Sequence, residues 1–248
     1  VVVIGSALTL TSGKYGLDTW VSLIVTGAVQ GGIYALVALG YTMVYGIMKM
    51  INFAHGEVFM SGPYTAYFVA AAFYRSDFLD THPIISLLAI FLVAMSVSVS
   101  IAFILERVAY RPLRGAPRLV PLITAIGASF FLQYTFRGLY GSGFQAYPNI
   151  DILEGQWVIA GIRILKFQAV VIVAAVFLML ALYSFIMYTR FGKAIRAVSE
   201  DKEASALMGI DVDAMISMTF VIGGAAAGAA GVLYAIMFKQ VNFYMGFI

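Results

Sequence analysis

RFGKAIRAVSEDKEASALMGIDVDA, residues Arg190 to Ala214, is the most charged stretch of an otherwise apolar chain, and a long apolar run flanks it on each side. Ser199 is placed to cap a short helix, with Glu200 and Asp201 in the first turn, where the helix dipole favours negative charge. Ala204, Leu207 and Met208 then fall at i, i+3 and i+4 and make a narrow apolar face. Gly209 is placed to stop the helix. A capped amphipathic helix displayed between membrane spans is more than a linker requires. We read it as a docking element for a soluble partner.

The composition around that stretch is that of a membrane protein. Of 248 residues, 62% are hydrophobic and 11% charged, whereas soluble domains carry about 25% charged residues. Six runs are long enough to cross a bilayer as helices: Trp20–Met48, Val58–Tyr74, Ile84–Ile104, Leu119–Gly141, Gln168–Thr189 and Met215–Phe238. Only the fourth contains a charge, Arg137, and each central charge would cost about 2.5–3.5 kcal/mol on insertion. The runs are continuous rather than alternating, which excludes spanning strands. The expectation is an all-α, polytopic helical membrane protein with about six spans and a short helix near 200–209 on the cytoplasmic side.

Loop charges give the orientation. Arg107, Arg111, Arg114 and Arg118 follow the third run, and Arg190, Lys193, Arg196 and Lys202 follow the fifth. If each run crosses once, both loops lie on the same side, and the positive-inside rule makes that side cytoplasmic. The opposite loop, Ser142 to Phe167, is rich in Gly, Tyr, Pro and Trp and suits an outer interfacial cap. The net charge of +3 is too weak and dispersed for nucleic acid, and the absence of cysteine excludes disulfides and thiolate metal sites. Val1 to Leu10 is too short to span, and neither it nor the closing FYMGFI looks like a natural end. We expect residues beyond both. No internal repeat is clear enough to claim.

Three constellations could carry function. The first is KMINFAHGE, Lys49 to Glu57, which places Asn52, Phe53, His55 and Glu57 before a short span. Interrupted hydrophobic segments are where transporters unwind a helix and aim backbone dipoles at a substrate. A pathway or gating role is preferred over an ordinary cytoplasmic turn. His55 and Glu57 are two apart, and no H-E-x-x-H pattern exists, so a zinc hydrolase site is not expected. The second is the Gly223–Gly231 stripe, with Gly27, Gly31, Gly32 and Gly40 in the first span, read as close helix packing. The third is ERVAYRPLR, Glu106 to Arg114, read mostly as a solvated basic turn with Pro112 ending the helix. Gln30, Gln133 and Arg137 are buried-polar candidates, though Arg137 can snorkel outward. No phosphate-binding Gly-Lys-Ser/Thr loop or nucleophile elbow is present, so ATP hydrolysis and other catalysis are not expected of this chain.

With these residues in view, the chain resembles the LivH-type permeases of bacterial branched-chain amino acid ABC importers. The resemblance is carried by GGIYALVALGYTMVYGIMKMINFAHGEVFMSGPY (Gly31–Tyr64), ERVAYRPLR (Glu106–Arg114), LITAIGASFFLQ (Leu122–Gln133) and GKAIRAVSEDKEASALMGIDVDAMISMTFVIGGAAAGAAGVL (Gly192–Leu233), in that order. It implies that residues 1–248 form a single transmembrane permease domain of the bacterial inner membrane, with family members continuing into further C-terminal spans. It also implies that 190–214 is a cytoplasmic coupling loop in which Glu203, Ala204, Leu207, Met208 and Gly209 contact a separate ATPase. The implied partners are a second related permease, two ATPase subunits that use ATP and Mg, an extracytoplasmic substrate-binding protein and membrane lipid. No cofactor or metal is expected on this chain.

Other readings are weaker. A related importer for urea or short amides shares the architecture. An ion-driven carrier or channel needs acidic or His residues within spans, where Glu57 is the only nearby carboxylate. An intramembrane protease needs a nucleophile and base on facing helices, and Ser96, Ser98 and Ser100 have no histidine in an adjacent span at similar depth.

Overall fold

A computed structural model describes residues 16–117, 119–159 and 162–247. Expectations that fell on Val1–Leu10 and on Arg118 lie outside the described residues. All six apolar runs are helical. Helix α1 (Leu17–Met48) is followed by a non-helical stretch and α2 (His55–Arg75). A short α3 (Phe78–Thr81) leads into α4 (Pro83–Ile104), which begins on a proline and continues through a π turn at Leu105–Tyr110 and a 3-10 turn at Arg111–Leu113. Then come α5 (Leu119–Tyr140), an outer cap, α6 (Lys166–Tyr188), α7 (Arg190–Glu200), α8 (Lys202–Leu207) and α9 (Val212–Phe238). The cap contains two antiparallel pairs, β1 (Gln145–Ala146) with β4 (Gln240–Val241), and β2 (Gln156–Ile159) with β3 (Ile162–Leu165). Within the cap, burial pushes the Tyr147 phenol up, and its hydroxyl has no partner.

Among the described residues, five helices are long and apolar enough to cross a membrane: α1, the extended α4, α5, α6 and α9. Four of them bury 11–28% of their most apolar window, as helices facing lipid do, while α9 buries 72% and is the core of the bundle. Helix α2 is too polar to join the five, and it is buried against α4 and α9. The second run is therefore an internal helix sheltered by the others.

Small residues allow this packing. A Cβ added to Gly224 or Gly228 would lie 2.8–3.0 Å from backbone or side-chain atoms of α4, at Ser98, Ala102, Ala94 and Met95. Gly231 meets the Pro63 ring and the Phe59 carbonyl, the oxygen that Pro63 leaves without its helical N–H donor. In α1 the expectation holds for Gly32 and Gly40 only. Gly27 and Gly31 have nothing within 4 Å of such a Cβ. Their lack of a side chain serves no close approach among the described residues.

Depth along the bundle follows from these contacts. His55 Nε2 lies 3.2 Å from a Cβ built on Gly40, which precedes the end of α1 by eight residues, about 12 Å of helix. Ser98, midway along the extended α4, donates to the Val58 carbonyl at 2.8 Å. Helix α2 thus starts near mid-depth. Residues 49–54 are a re-entrant segment running back along α1 from its end, the geometry of a broken helix. At the other end, β4 leaves the cap and residues 242–247 turn back inward until Gly246 packs on Gly56.

Gly228→Leu is expected to destabilise the bundle by at least about 3 kcal/mol, because the obstructing α4 atoms include backbone. Loss of the monodisperse peak in detergent chromatography reads this out, whereas Gly27→Leu should leave the peak intact.

Candidate functional site

The displayed helix is present, with one correction to its start. Ser199 lies inside α7, its hydroxyl donating to the Arg196 carbonyl at 2.7 Å. Asp201 is the cap instead, its carboxylate accepting from the N–H groups of Glu203 and Ala204 at 2.9 and 3.0 Å. A carboxylate with extended backbone reaches two free amides at once. The serine is left to a back-bond within its own helix. Gly209 ends α8 with φ +82°, and the Ile210 N–H returns to the Ser205 carbonyl at 3.1 Å. A β-carbon is disfavoured there. Ser205 alone of this helix turns inward. Glu203 and Ala204 are exposed, and Leu207 and Met208 are 89% and 82% exposed. Two bare apolar side chains on a charged surface form an unpartnered contact.

The two basic loops do come together. Burial, with Arg114 and Lys49 beside it, pushes the Lys202 ammonium below its usual range, and the three cations line one cleft. The ERVAYRPLR stretch is not the solvated turn its composition predicts. The π turn carries Glu106 and Tyr110 inward, both 0% exposed. Glu106 pairs with Arg114 and accepts from Ser217 at 2.8 Å. Arg114 and Arg111 both pair with Asp213, at the start of α9. Sequence reasoning missed this because Asp213 is about 100 residues away, and only the conspicuous polarity of Glu106 beside an apolar run hints at it.

The re-entrant segment gathers the other predicted residues. Tyr110 donates to Asn52 Oδ1 at 2.6 Å, tying the inner end of α4 to the break. His55 and Glu57 are buried, and Phe53 is 47% exposed. Glu57 Oε1 accepts from Ser129 on α5 at 3.2 Å. Among the described residues, His55 Nε2, Glu57 Oε2 and Gln133 Nε2 are buried without a partner. The first turn of α2 has no side-chain cap, so its N–H groups add positive character at mid-depth. Two clefts flank the segment and share Phe53. One is lined by Tyr34, Tyr41 and His55, the other by Ser129, Phe130 and Phe247. Gln30 is spent on the Tyr34 hydroxyl at 3.0 Å. Arg137 is exposed and lies over the rings of Tyr134 and Phe243. Among the described residues no three His, Asp or Glu side chains converge on a metal-sized site. Ser98 and Ser100 spend their hydroxyls on backbone carbonyls.

Comparison with known proteins gives a consistent result. Residues 23–248 match the family described as the permease component of branched-chain amino acid transport systems. The chain is 43% identical over 227 residues to the high-affinity branched-chain amino acid transport system permease protein LivH of Escherichia coli strain K12, covering 90% of this chain and 72% of that protein. It is 42% identical over 228 residues to the corresponding permease BraD of Pseudomonas aeruginosa, covering 91% and 74%. A probable branched-chain amino acid permease of Methanocaldococcus jannaschii is 27% identical over 229 residues, covering 89% and 68%. No solved structure matches.

Tyr110→Phe removes the donor to a buried Asn52 oxygen and is expected to cost about 1–3 kcal/mol, seen as a lower Tm in detergent. Adding Asn52→Ala should cost little more, since the two side chains share one interaction.

Proposed function

The chain belongs to the family of permease components of branched-chain amino acid transport systems, and from that premise we propose that it passes Leu, Ile and Val across a bacterial inner membrane as one permease of an ATP-driven importer. In this reading 190–214 is the coupling loop. Two ATPase subunits hold ATP and Mg, and one of them receives α8. A second related permease completes the path, and an extracytoplasmic binding protein delivers the substrate to the cap. The chain itself performs no hydrolysis.

The observation that carries the reading is the exposure of Leu207 and Met208 on a helix capped at Asp201 and stopped at Gly209. A short helix whose ends are tied transmits displacement better than a loop, and here the Asp201 cap and the Ile210 return bond hold the end groups that a helix leaves free. The push has a route onward. Helix α8 leads directly into α9, and Asp213 in the first turn of α9 is held by Arg111 and Arg114 at the foot of α4. An element with two arrangements, each favoured by a different nucleotide state of the ATPase, is what coupling requires.

The path is proposed to run past Phe53, His55 and Glu57. An amino acid crossing the bilayer must keep its carboxylate and ammonium solvated by protein. The uncapped start of α2 and the free Glu57 oxygen offer complementary partners at one depth. The aromatic and aliphatic walls of the flanking clefts suit a branched side chain.

Gly209→Pro cannot adopt φ +82°, and Glu203→Arg reverses a charge on the displayed helix. Both are expected to leave membrane insertion intact while leucine uptake falls away from ATPase activity. Unchanged uptake in both would remove the coupling assignment. Leu207→Cys should cross-link to the ATPase in a nucleotide-dependent manner. An uptake assay with leucine and urea in competition checks the cargo: urea should not compete.

A further inference from the structure

The two re-entrant segments share one pattern. Lys49-Met50-Ile51-Asn52-Phe53-Ala54-His55-Gly56 and Lys239-Gln240-Val241-Asn242-Phe243-Tyr244-Met245-Gly246 both read K-x-[IV]-N-F-x-x-G. Their backbones agree as well. Each lysine ends a long apolar helix in the left-handed region, with φ 56° at Lys49 and 52° at Lys239. Each asparagine carbonyl accepts from the N–H three residues on, His55 at 3.1 Å and Met245 at 3.4 Å. A non-glycine residue in that region is uncommon, so its recurrence at matched positions is informative. The segments enter from opposite ends, 49–56 from the basic-loop end and 239–246 from the cap. Their final glycines meet: a Cβ on either would overlap the carbonyl of the other.

We propose that these segments are two copies of one element, related by inversion across the membrane, and that the Gly56–Gly246 crossing is the closed barrier of the translocation path. Asn242, Phe243, Gly246 and Phe247 then form its second half. The inference rests on the transport reading above and adds the barrier to it. Glycine-on-glycine contact puts two backbones together with no side chain between them. A small separation therefore opens a gap that a side-chain plug would still fill. Each half is anchored to a different surface. Asn52 is held by Tyr110, four residues beyond the Glu106 that pairs with Arg114. Val241 is paired with Gln145 in the cap, and Phe243 lies under Arg137 at 5.4 Å. The inner half answers to the coupling side and the outer half to the side where substrate arrives. Phe53 and Phe247, an exposed aromatic from each half, line one cleft beside the crossing.

The chain has no cysteine, so Phe53→Cys with Phe247→Cys gives a unique pair for spin labels in the assembled transporter. The label separation should lengthen by roughly one helical turn, about 5 Å, in at least one nucleotide state. An identical separation in every state overturns the barrier. Should that pair fail to assemble, Ile51→Cys, exposed on the same segment, replaces the first position. Joining the pair with a bifunctional thiol reagent should lower leucine uptake at least about tenfold relative to its own reduced form. Uptake that persists through the joined pair also overturns the barrier while leaving the transport reading standing. Separation with ATP in the labelled pair, but no leucine uptake by the chain with both phenylalanines intact, leaves the barrier standing and removes the cargo.

Discussion

A backbone amide or carbonyl with no partner cannot face lipid, and the arrangement of this chain follows from where it breaks that continuity. Residues 49–54 and 242–244 are non-helical at depths where hydrocarbon would otherwise lie. Both are sheltered by protein, and the shelter needs helices that approach closely. The glycines of α9 supply that approach, letting α4 and α2 pack almost backbone to backbone. Polar side chains then become affordable inside. Asn52 is satisfied by Tyr110 and Glu57 in part by Ser129, and the unpaired remainder faces the proposed path.

Much of this was legible in the sequence, and the limits are physical. Charge-free runs locate helices because insertion energy depends on local composition, so all six were readable to within a few residues. Tyr34 to Gly40 reads as uniform span, yet those residues fix the depth of His55, and depth is a tertiary property. The Asp201 cap was missed because Ser199 and Asp201 are equally good caps by residue type, and the choice depends on where α7 ends. The Glu106–Arg114–Asp213 cluster was illegible because its members are far apart in sequence. The paired K-x-[IV]-N-F-x-x-G segments were on the page throughout. Eight residues matching at five positions carry little weight until the backbones prove to match too.

The cluster of Glu106, Arg111, Arg114, Asp213 and Ser217 has a place between the two candidate elements. Glu106 is buried against one arginine, Arg114, and accepts from Ser217 of α9; breaking such a buried pair is costly, so the foot of α4 is tied to the start of α9. That rigidity joins the displayed helix, one short turn before Asp213, to Tyr110 and the inner re-entrant segment. The outer half of the crossing is tied to the cap by a two-residue strand pair and to α5 by the Arg137–Phe243 cation–π contact, which are softer connections.

The polarity of α2 also bears on how the chain is made. It falls short of the hydropathy of its neighbours, so it gains little by entering lipid alone. The face it needs belongs partly to α9, which begins roughly 140 residues later. At a synthesis rate of about 5–20 residues per second, some 7–30 seconds pass between the two leaving the ribosome. During that interval α2 lacks its α9 face and has α1, α4 and α5 against it. A product that stops before α9 leaves a polar helix without part of the surface that covers it, a poor fit for the bilayer.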